Sequence, residues 1–201
     1  MSRRTILISR LLVAGIFALA GSLRAAEPAL GKAEVSGIVG LFRATGEAGF
    51  SRATFGGSAA VRLGDRAQLL GEFSSVPVDS LNETGSVLGY SYTANGSYKI
   101  YNGLAGLRYH FVTTSRFMPY IVALGGVSHE VASGTAVVSG VTATVSQTQN
   151  AGVYAFGGGV ALFAGSRWGI RPEFRYQHHQ YQDGGANALV LTVGVFYQIG
   201  K

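Results

Sequence analysis

Three charged side chains lie at alternate positions of the stretch from 168 to 181, WGIRPEFRYQHHQY: Arg171, Glu173 and Arg175. Large apolar residues surround them on either side. Because successive side chains of a β-strand point to opposite faces, this spacing places the charges on one face and the apolar residues on the other. Charges of both signs on one face can form ion pairs, and they must do so wherever water is excluded.

The same stretch contains two adjacent histidines, His178 and His179, which are the residues best suited to proton transfer or metal binding. Adjacent side chains of a strand point in opposite directions, so the two imidazoles cannot share one ion. His110 and His129 lie in other parts of the predicted fold, and no cluster of acidic residues accompanies them. The sequence therefore predicts no metal site and no cofactor.

Alternation of apolar with small or polar residues recurs after residue 27 and predicts eight strands. The connections between these strands are alternately short (64–66, 112–116, 164–167) and long (45–52, 77–97, 129–151, 182–187). The predicted fold class is all-β, an eight-stranded antiparallel up-and-down transmembrane β-barrel with short periplasmic turns and long extracellular loops. The predicted strands are 34–44, 53–63, 67–76, 98–111, 117–128, 152–163, 168–181 and 188–199.

The composition decides which face of the barrel is apolar. Hydrophobic residues make up 47% of the chain and charged residues only 13%, about half of the usual share. This is too few charges to coat a barrel in water, so the large apolar residues are expected to face lipid and the glycine-rich face a filled lumen. Aromatic girdles are expected at both boundaries, formed by Tyr101, Tyr109, Phe111, Trp168 and Tyr197. A soluble lipocalin-like barrel is the alternative.

Charges that point into a narrow lumen must be paired. Other predicted strands carry charged residues at positions that point into the lumen. These residues can pair with the three charged residues of the seventh strand. We predict a lumen network with a structural role, which fills and locks the barrel. Its members are Arg62, Glu72, Arg108, Arg171, Glu173 and Arg175.

Pro172 is unusual within the seventh predicted strand. Proline has no N–H and removes one hydrogen bond from a ladder. The sequence therefore predicts either a bulge at Pro172 or a position near the periplasmic rim.

The first 26 residues have the features of a secretory signal peptide, namely a basic start, an apolar run of ten residues and small residues before Glu27. Ten apolar residues are too few for a membrane helix. Residues 1–26 hold four arginines and no acidic residue, so their removal lowers the net charge from +6 to +2. The basic character is therefore no argument for nucleic-acid binding. Residues 27–201 form the predicted barrel, and the absence of cysteine excludes disulfides.

The last strand carries a second targeting pattern, formed by Thr192, Gly194, Tyr197 and Ile199. Its order of polar, glycine, aromatic and apolar residues resembles the C-terminal signal by which the assembly machinery recognises outer-membrane barrels. Such chains often end on Phe, whereas here Gly200 and Lys201 follow. The resemblance implies insertion by that machinery.

Three segments resemble the small eight-stranded outer-membrane β-barrel family that includes the OmpA transmembrane domain and OmpX. They are GSAAVRL (57–63), NGLAGLRYHF (102–111) and GIRPEFRYQ (169–177). The resemblance implies a Gram-negative outer membrane, contact with its lipid, a monomer and a plugged lumen. It implies no enzymatic activity, since the fold carries several functions.

The predicted function is structural, or an interaction of the long loops 77–97 and 129–151 with an unknown extracellular ligand. The second loop is expected to form a hairpin around Ser139 and Gly140.

Two alternatives stay open. Some barrels of this kind are lipid A deacylases that use a His and a nearby Ser, but here His178 is followed by His, Gln and Tyr181. A narrow passive channel is the other.

Overall fold

The computed structural model describes residues 28–45, 49–87, 90–138, 141–182 and 184–200. Eight strands form one closed barrel in which each strand runs antiparallel to both neighbours, and β1 closes the ring against β8. Among the described residues, no helix is long and apolar enough to cross a membrane. The strands are β1 (Ala33–Thr45), β2 (Ser51–Arg62), β3 (Ala67–Val87), β4 (Tyr90–His110), β5 (Phe117–Val138), β6 (Val141–Phe163), β7 (Trp168–Tyr181) and β8 (Gly184–Ile199).

The two ends of the barrel differ in length. At the short-turn end, the strands are joined within a few residues, at 63–66, 111–116 and 164–167. At the opposite hairpin end, β3 to β6 have 21, 21, 22 and 23 residues, whereas the other strands have 12 to 16. The segment 77–97, predicted as a loop, is therefore mostly an extension of β3 and β4.

The four long strands continue as a sheet beyond the point where the ring closes. The pairing of β2 with β3 ends at Phe55 and Ser75, and that of β6 with β7 ends at Gly152 and Gln180. Beyond these pairs, β3–β4, β4–β5 and β5–β6 stay paired nearly to their tips. We call this part the protruding sheet; it consists of 76–87, 90–99, 129–138 and 141–151.

The outer surface of the ring is apolar. We call it the apolar belt; its exposed members include Val35, Val39, Leu41, Phe55, Val61, Leu69, Leu107, Ile121, Phe156, Phe174, Leu191, Val193 and Val195. Aromatic side chains follow its two edges. Tyr109, Phe111, Phe117, Trp168 and Tyr197 lie towards the short-turn end, and Phe73, Tyr101, Tyr154 and Tyr176 towards the hairpin end.

The interior is filled by layers of side chains. An apolar layer at the short-turn end includes Leu30, which folds beneath the barrel onto Met118, Phe163 and Phe196. A second layer at the hairpin end is built around Phe42, Val76, Ile100, Ala188 and Val190. Charged and polar side chains lie between these two layers, beside a third apolar cluster that includes Leu70, Leu104, Val122 and Leu124.

Pro172 interrupts the ladder without shifting it. The β6–β7 register is the same on both sides, with Gly159 opposite Glu173 and Leu162 opposite Ile170, and the pairs between them are missing. On its other side Pro172 pairs with Val193 of β8. The expectation of a bulge or a rim position is therefore wrong; the barrel tolerates a local gap in one ladder instead.

Candidate functional site

Glu34 is the centre of the ion pairs nearest the short-turn end. Its carboxylate accepts two hydrogen bonds from Arg171, at 2.6 and 2.5 Å, and one from Arg108 at 2.9 Å. The amide of Gln198 donates a fourth at 2.5 Å. Only 1% of Glu34 is exposed. The carboxylate therefore forms ion pairs with two buried guanidinium groups in a space without bulk water.

Arg175 is the centre of a second group of ion pairs, one layer further towards the hairpin end. Its guanidinium donates to Glu72 at 2.7 Å and lies 2.8 Å from the carboxylate of Glu173. The hydroxyl of Tyr120 donates to the other oxygen of Glu173 at 2.6 Å. The fork geometry of arginine allows this simultaneous contact with two carboxylates.

Glycines on the inner face of β6 make room for the second group. A Cβ at Gly157 would lie 2.7 Å from the Cγ of Arg175, and one at Gly159 would lie 2.5 Å from the hydroxyl of Tyr120. Both distances are shorter than van der Waals contact. The two glycines therefore determine how closely Arg175 and Tyr120 can approach the wall.

The charges within the two groups of ion pairs balance. Three buried arginines face three buried glutamates across the two groups of ion pairs, so the lumen carries no net charge from them. Such pairing offsets the desolvation of each ion, and it makes the loss of any one partner costly. The residues are Arg108, Arg171, Arg175, Glu34, Glu72 and Glu173.

The structure brings five of the six predicted network residues into the lumen and leaves one outside. Arg62 has the inward phase but lies at the last position of β2, where it is exposed and donates to the carbonyl of Leu30. The inclusion of Arg62 is therefore wrong, since the rim offers water and a backbone acceptor instead of a buried carboxylate. Sequence reasoning missed Glu34, although its alternation with the outward-facing Val35 and Val39 would have placed it inside.

A third polar cluster, the mouth cluster, closes the lumen at the hairpin end beyond the apolar belt. It consists of Tyr98, Glu130, His179 and Tyr181. Both tyrosine hydroxyls donate to the carboxylate of Glu130, that of Tyr181 at 2.5 Å. Burial and these hydrogen bonds raise the pKa values of both tyrosines above the ordinary value of 10.0. Both phenols therefore stay protonated and continue to donate throughout the neutral range.

His179 is buried beside this carboxylate, with 2% of its surface exposed. Its ring lies edge-on to Phe42 and stacks on Tyr181. Burial lowers the pKa of His179 below 6.5, and the charge of Glu130 opposes that shift only in part. His179 is thus a neutral imidazole at neutral pH.

This lowered pKa predicts that acid destabilises the barrel through His179. As the pH falls below about 6.5, the unfolded chain takes up the proton first, and the free energy of unfolding decreases. His179→Gln removes this contribution. We expect the stability advantage of wild type over His179→Gln to shrink between about pH 7 and pH 5. Denaturant unfolding at a series of pH values measures it; a constant difference between the two proteins would contradict the assignment.

His178 points outward, at the hairpin-end edge of the apolar belt. Its Nδ1 lies 2.6 Å from the amide oxygen of Asn187, which also accepts from the hydroxyl of Tyr176 at 2.6 Å. Its ring stacks on Tyr154, with centroids 4.8 Å apart, and its Nε2 lies 3.3 Å from the amide oxygen of Gln180. Among the described residues, no serine is a hydrogen-bond or ring partner of His178, whereas the deacylases use a serine near the histidine. Tyr181 points into the lumen, towards Glu130.

The lumen leaves little room for a solute. A narrow gap remains next to Arg175, lined by Thr54, Glu72, Asn102 and Gln177 among others. Apolar side chains are clustered in the lumen towards both ends of the barrel. Among the described residues, no group of three or more histidine and acidic side chains could hold a metal ion.

The assembly pattern of β8 divides between the two faces of its strand. Thr192 is buried in the lumen, whereas Tyr197 and Ile199 are about half exposed on the apolar belt. Gly194 faces inward beside Arg171 and Ile38.

The protruding sheet offers surface of a different kind. On β6, every residue from 141 to 150 is exposed. A shallow groove crosses the sheet around Gly96 and Gly134, and it is lined by hydroxyl and amide groups. The hydroxyls of Ser97 and Ser133 hydrogen-bond across the groove at 2.8 Å. This surface can offer hydrogen bonds but very little charge.

Comparison with known proteins identifies the fold. No protein-family model and no curated protein matches the sequence. The barrel is similar to Ail, the attachment invasion locus protein of Yersinia pestis, with 15% identity, a TM-score of 0.58 and coverage of 84% of this chain and 99% of Ail. Ail in complex with the heparin analogue sucrose octasulfate gives a TM-score of 0.60 at 15% identity, with the same coverage.

Neisserial surface protein A (NspA) is also similar, with 16% identity, a TM-score of 0.54 and coverage of 84% of this chain and 97% of NspA. These neighbours are small eight-stranded outer-membrane β-barrels. At such low identity the similarity establishes the fold and not the activity. The predicted fold class, a closed antiparallel up-and-down barrel of eight strands, is confirmed.

Proposed function

We propose that this chain is an integral outer-membrane barrel, exported by the signal peptide at 1–26 and used to present the protruding sheet at the cell surface. Residues 1–27 lie outside the described part of the chain, so the signal peptide rests on sequence alone. The observation that carries the proposal is the continuation of four paired strands beyond the apolar belt. A barrel with only a structural role has no need of such an extension.

The distribution of side chains supports the membrane location. Apolar side chains cover the outside of the ring while six ionised side chains are buried in its centre. This is the reverse of the arrangement in a barrel dissolved in water. From Trp168 to Tyr176, the β7 part of the belt is nine residues long, which agrees with the length of a tilted membrane-spanning strand.

The proposed activity is contact with another molecule, with no catalysis. Ail is described as an attachment and invasion protein, and it was solved with a heparin analogue. This chain carries few cations on its protruding sheet: 129–151 has His129 and Glu130 and is otherwise uncharged. A sulfated polysaccharide would therefore find little to bind, and hydrogen bonding to an uncharged partner fits better.

The proposal predicts that trimming the sheet removes attachment but not folding. The variant replaces 79–97 and 132–147 each by Asn-Gly, a two-residue hairpin turn that suits paired strands. Because the ring and lumen remain whole, we expect the same resistance to denaturant as wild type. Attachment of bacteria that display each protein to epithelial monolayers should fall to the level of the empty host. Equal attachment by both proteins would reject the surface-interaction role.

Two controls define the result. Removing 79–97 alone and 132–147 alone identifies the hairpin pair that makes the contact. Dye uptake by the same cells measures the integrity of the envelope. A variant that attaches normally but leaks dye would favour the purely structural role.

A further inference from the structure

The protruding sheet has two open edges. One is β3, whose pairing with β2 ends at Ser75, and the other is β6, whose pairing with β7 ends at Gly152. Along both edges, backbone N–H and C=O groups have no neighbouring strand among the described residues. Such edges can pair with another strand, and proteins usually protect them.

The β3 edge carries the usual protection. Its sequence, VPVDSLNETGSV (76–87), includes Pro77 and the acidic residues Asp79 and Glu83. Its register with β4 also shifts between Val78 and Leu81, which is an irregularity of the bulge type. Proline, charge and a bulge each disfavour the addition of a further strand.

The β6 edge carries none of this protection. Its sequence, VTATVSQTQNA (141–151), contains no proline, no glycine and no charged residue. Its register with β5 runs without a shift from Val141 to the short-turn end. Side chains on both faces are exposed, with Val145 at 66%. The edge is regular, accessible and about 37 Å long at 3.4 Å per residue.

The sequence of this edge is complementary to itself. In an antiparallel pair centred on Val145, this valine faces the same valine of a second copy. Thr144 then faces Ser146, and Thr142 faces Thr148. These four side chains lie on the outer face of the sheet, and Val145 lies on its other face. Valine pairs and hydroxyl pairs of this kind stabilise antiparallel sheets, and no like charges are brought together.

We propose that residues 141–149 of the β6 edge pair antiparallel with the same residues of a second copy of this chain in a facing membrane. This inference deepens the proposed function, on which it rests, by naming the partner. The two protruding sheets would join into one sheet of eight strands between two cells.

The direction of β6 excludes the same pairing within one membrane. In every copy, β6 runs from the hairpin end towards the membrane. Strands of such barrels are tilted by about 35–45°, so two copies related by a rotation about the membrane normal would cross at roughly 70–90°. Two copies in facing membranes can align antiparallel over residues 141–149.

Clustering of lipid vesicles that carry the purified full chain tests the proposal. We expect wild-type vesicles to grow severalfold in mean diameter by dynamic light scattering. Val145→Lys places two ammonium groups opposite each other and should abolish clustering, and Val145→Glu should do the same. Mixing Val145→Lys vesicles with Val145→Glu vesicles should restore it, since the facing pair is then of opposite charge.

Thr84→Lys is the matched control, because Thr84 is an exposed residue of the protected β3 edge; it should cluster like wild type. Clustering by Val145→Lys alone, or none in the mixture, overturns the inference. Wild-type vesicles that stay dispersed also overturn it, while attachment to epithelial cells still tests the proposed function. If Val145→Lys reduces that attachment without any vesicle clustering, the edge takes a foreign strand and not a second copy.

Discussion

Glu34→Gln is expected to destabilise the barrel by about 3–5 kcal/mol, because it removes the charged carboxylate with which two buried guanidinium groups are paired. Glutamine keeps the shape of the side chain and can still accept a hydrogen bond. It cannot compensate the charges of Arg108 and Arg171, which are 2% and 4% exposed. The effect therefore measures charge compensation rather than packing.

Unfolding in denaturant, followed by the fluorescence of the single tryptophan, Trp168, measures this change in detergent or lipid. Arg62→Gln is the matched control: it removes an exposed charge at the rim and should change the free energy of unfolding by less than about 0.5 kcal/mol. Adding Arg171→Met to Glu34→Gln removes one uncompensated ion and should recover part of the loss. Equal stability of Glu34→Gln and wild type would show that the lumen is hydrated enough to solvate both arginines.

The ring could be predicted from the sequence because each of its strands separates two different environments. Polar and apolar residues therefore alternate with a period of two. In β7, Arg171, Glu173 and Arg175 point into the lumen, and Phe174 between them points outward. The signal is local and needs no knowledge of the partner strand. Strand number, fold class and the inward direction of five charged residues follow from it.

Alternation does not show how far along the barrel axis a side chain lies, or which side chain of another strand it contacts in the lumen. The side chain of Arg62 is on the inward face of its strand, yet Arg62 is the last residue of β2 and is exposed at the rim. Glu34 and Arg171 are 137 residues apart in sequence and meet only because β1 closes on β8. Sequence reasoning could therefore predict that a network exists but not its central carboxylate.

Alternation did not predict the protruding sheet in full, because alternation arises only where the two faces of a strand meet different environments. Where both faces of a strand meet water, as on β6 from 141 to 150, apolar and polar residues have no physical reason to alternate. The segment 77–97 has no such pattern and resembles a loop, although most of it forms strands. The segment 129–151 was predicted as a hairpin because Val and Thr alternate through it. Its outer face carries Thr142, Thr144, Ser146 and Thr148, the residues that would pair in the proposed contact.

Val193→Arg is the substitution that separates a barrel in lipid from a barrel in water. Val193 lies on the apolar belt, midway along β8 between the two aromatic edges, and it is 40% exposed. If the belt faces acyl chains, arginine at this depth should destabilise the protein by about 2–4 kcal/mol in lipid vesicles. If the belt faced water, the same exposed site would tolerate arginine with a change below about 0.5 kcal/mol.

Two further arginine substitutions show how the loss of stability depends on depth in the membrane. Leu63, exposed at the short-turn rim, lies close to the interface, where the penalty should fall to about 0–1 kcal/mol. Val145 lies on the protruding sheet in water, where the change should be negligible. A penalty that decreases from Val193 to Leu63 to Val145 requires a slab of hydrocarbon around the ring. An equal decrease in the free energy of unfolding at all three sites would indicate that arginine is simply unfavourable in a strand. The membrane assignment would then lose its physical basis.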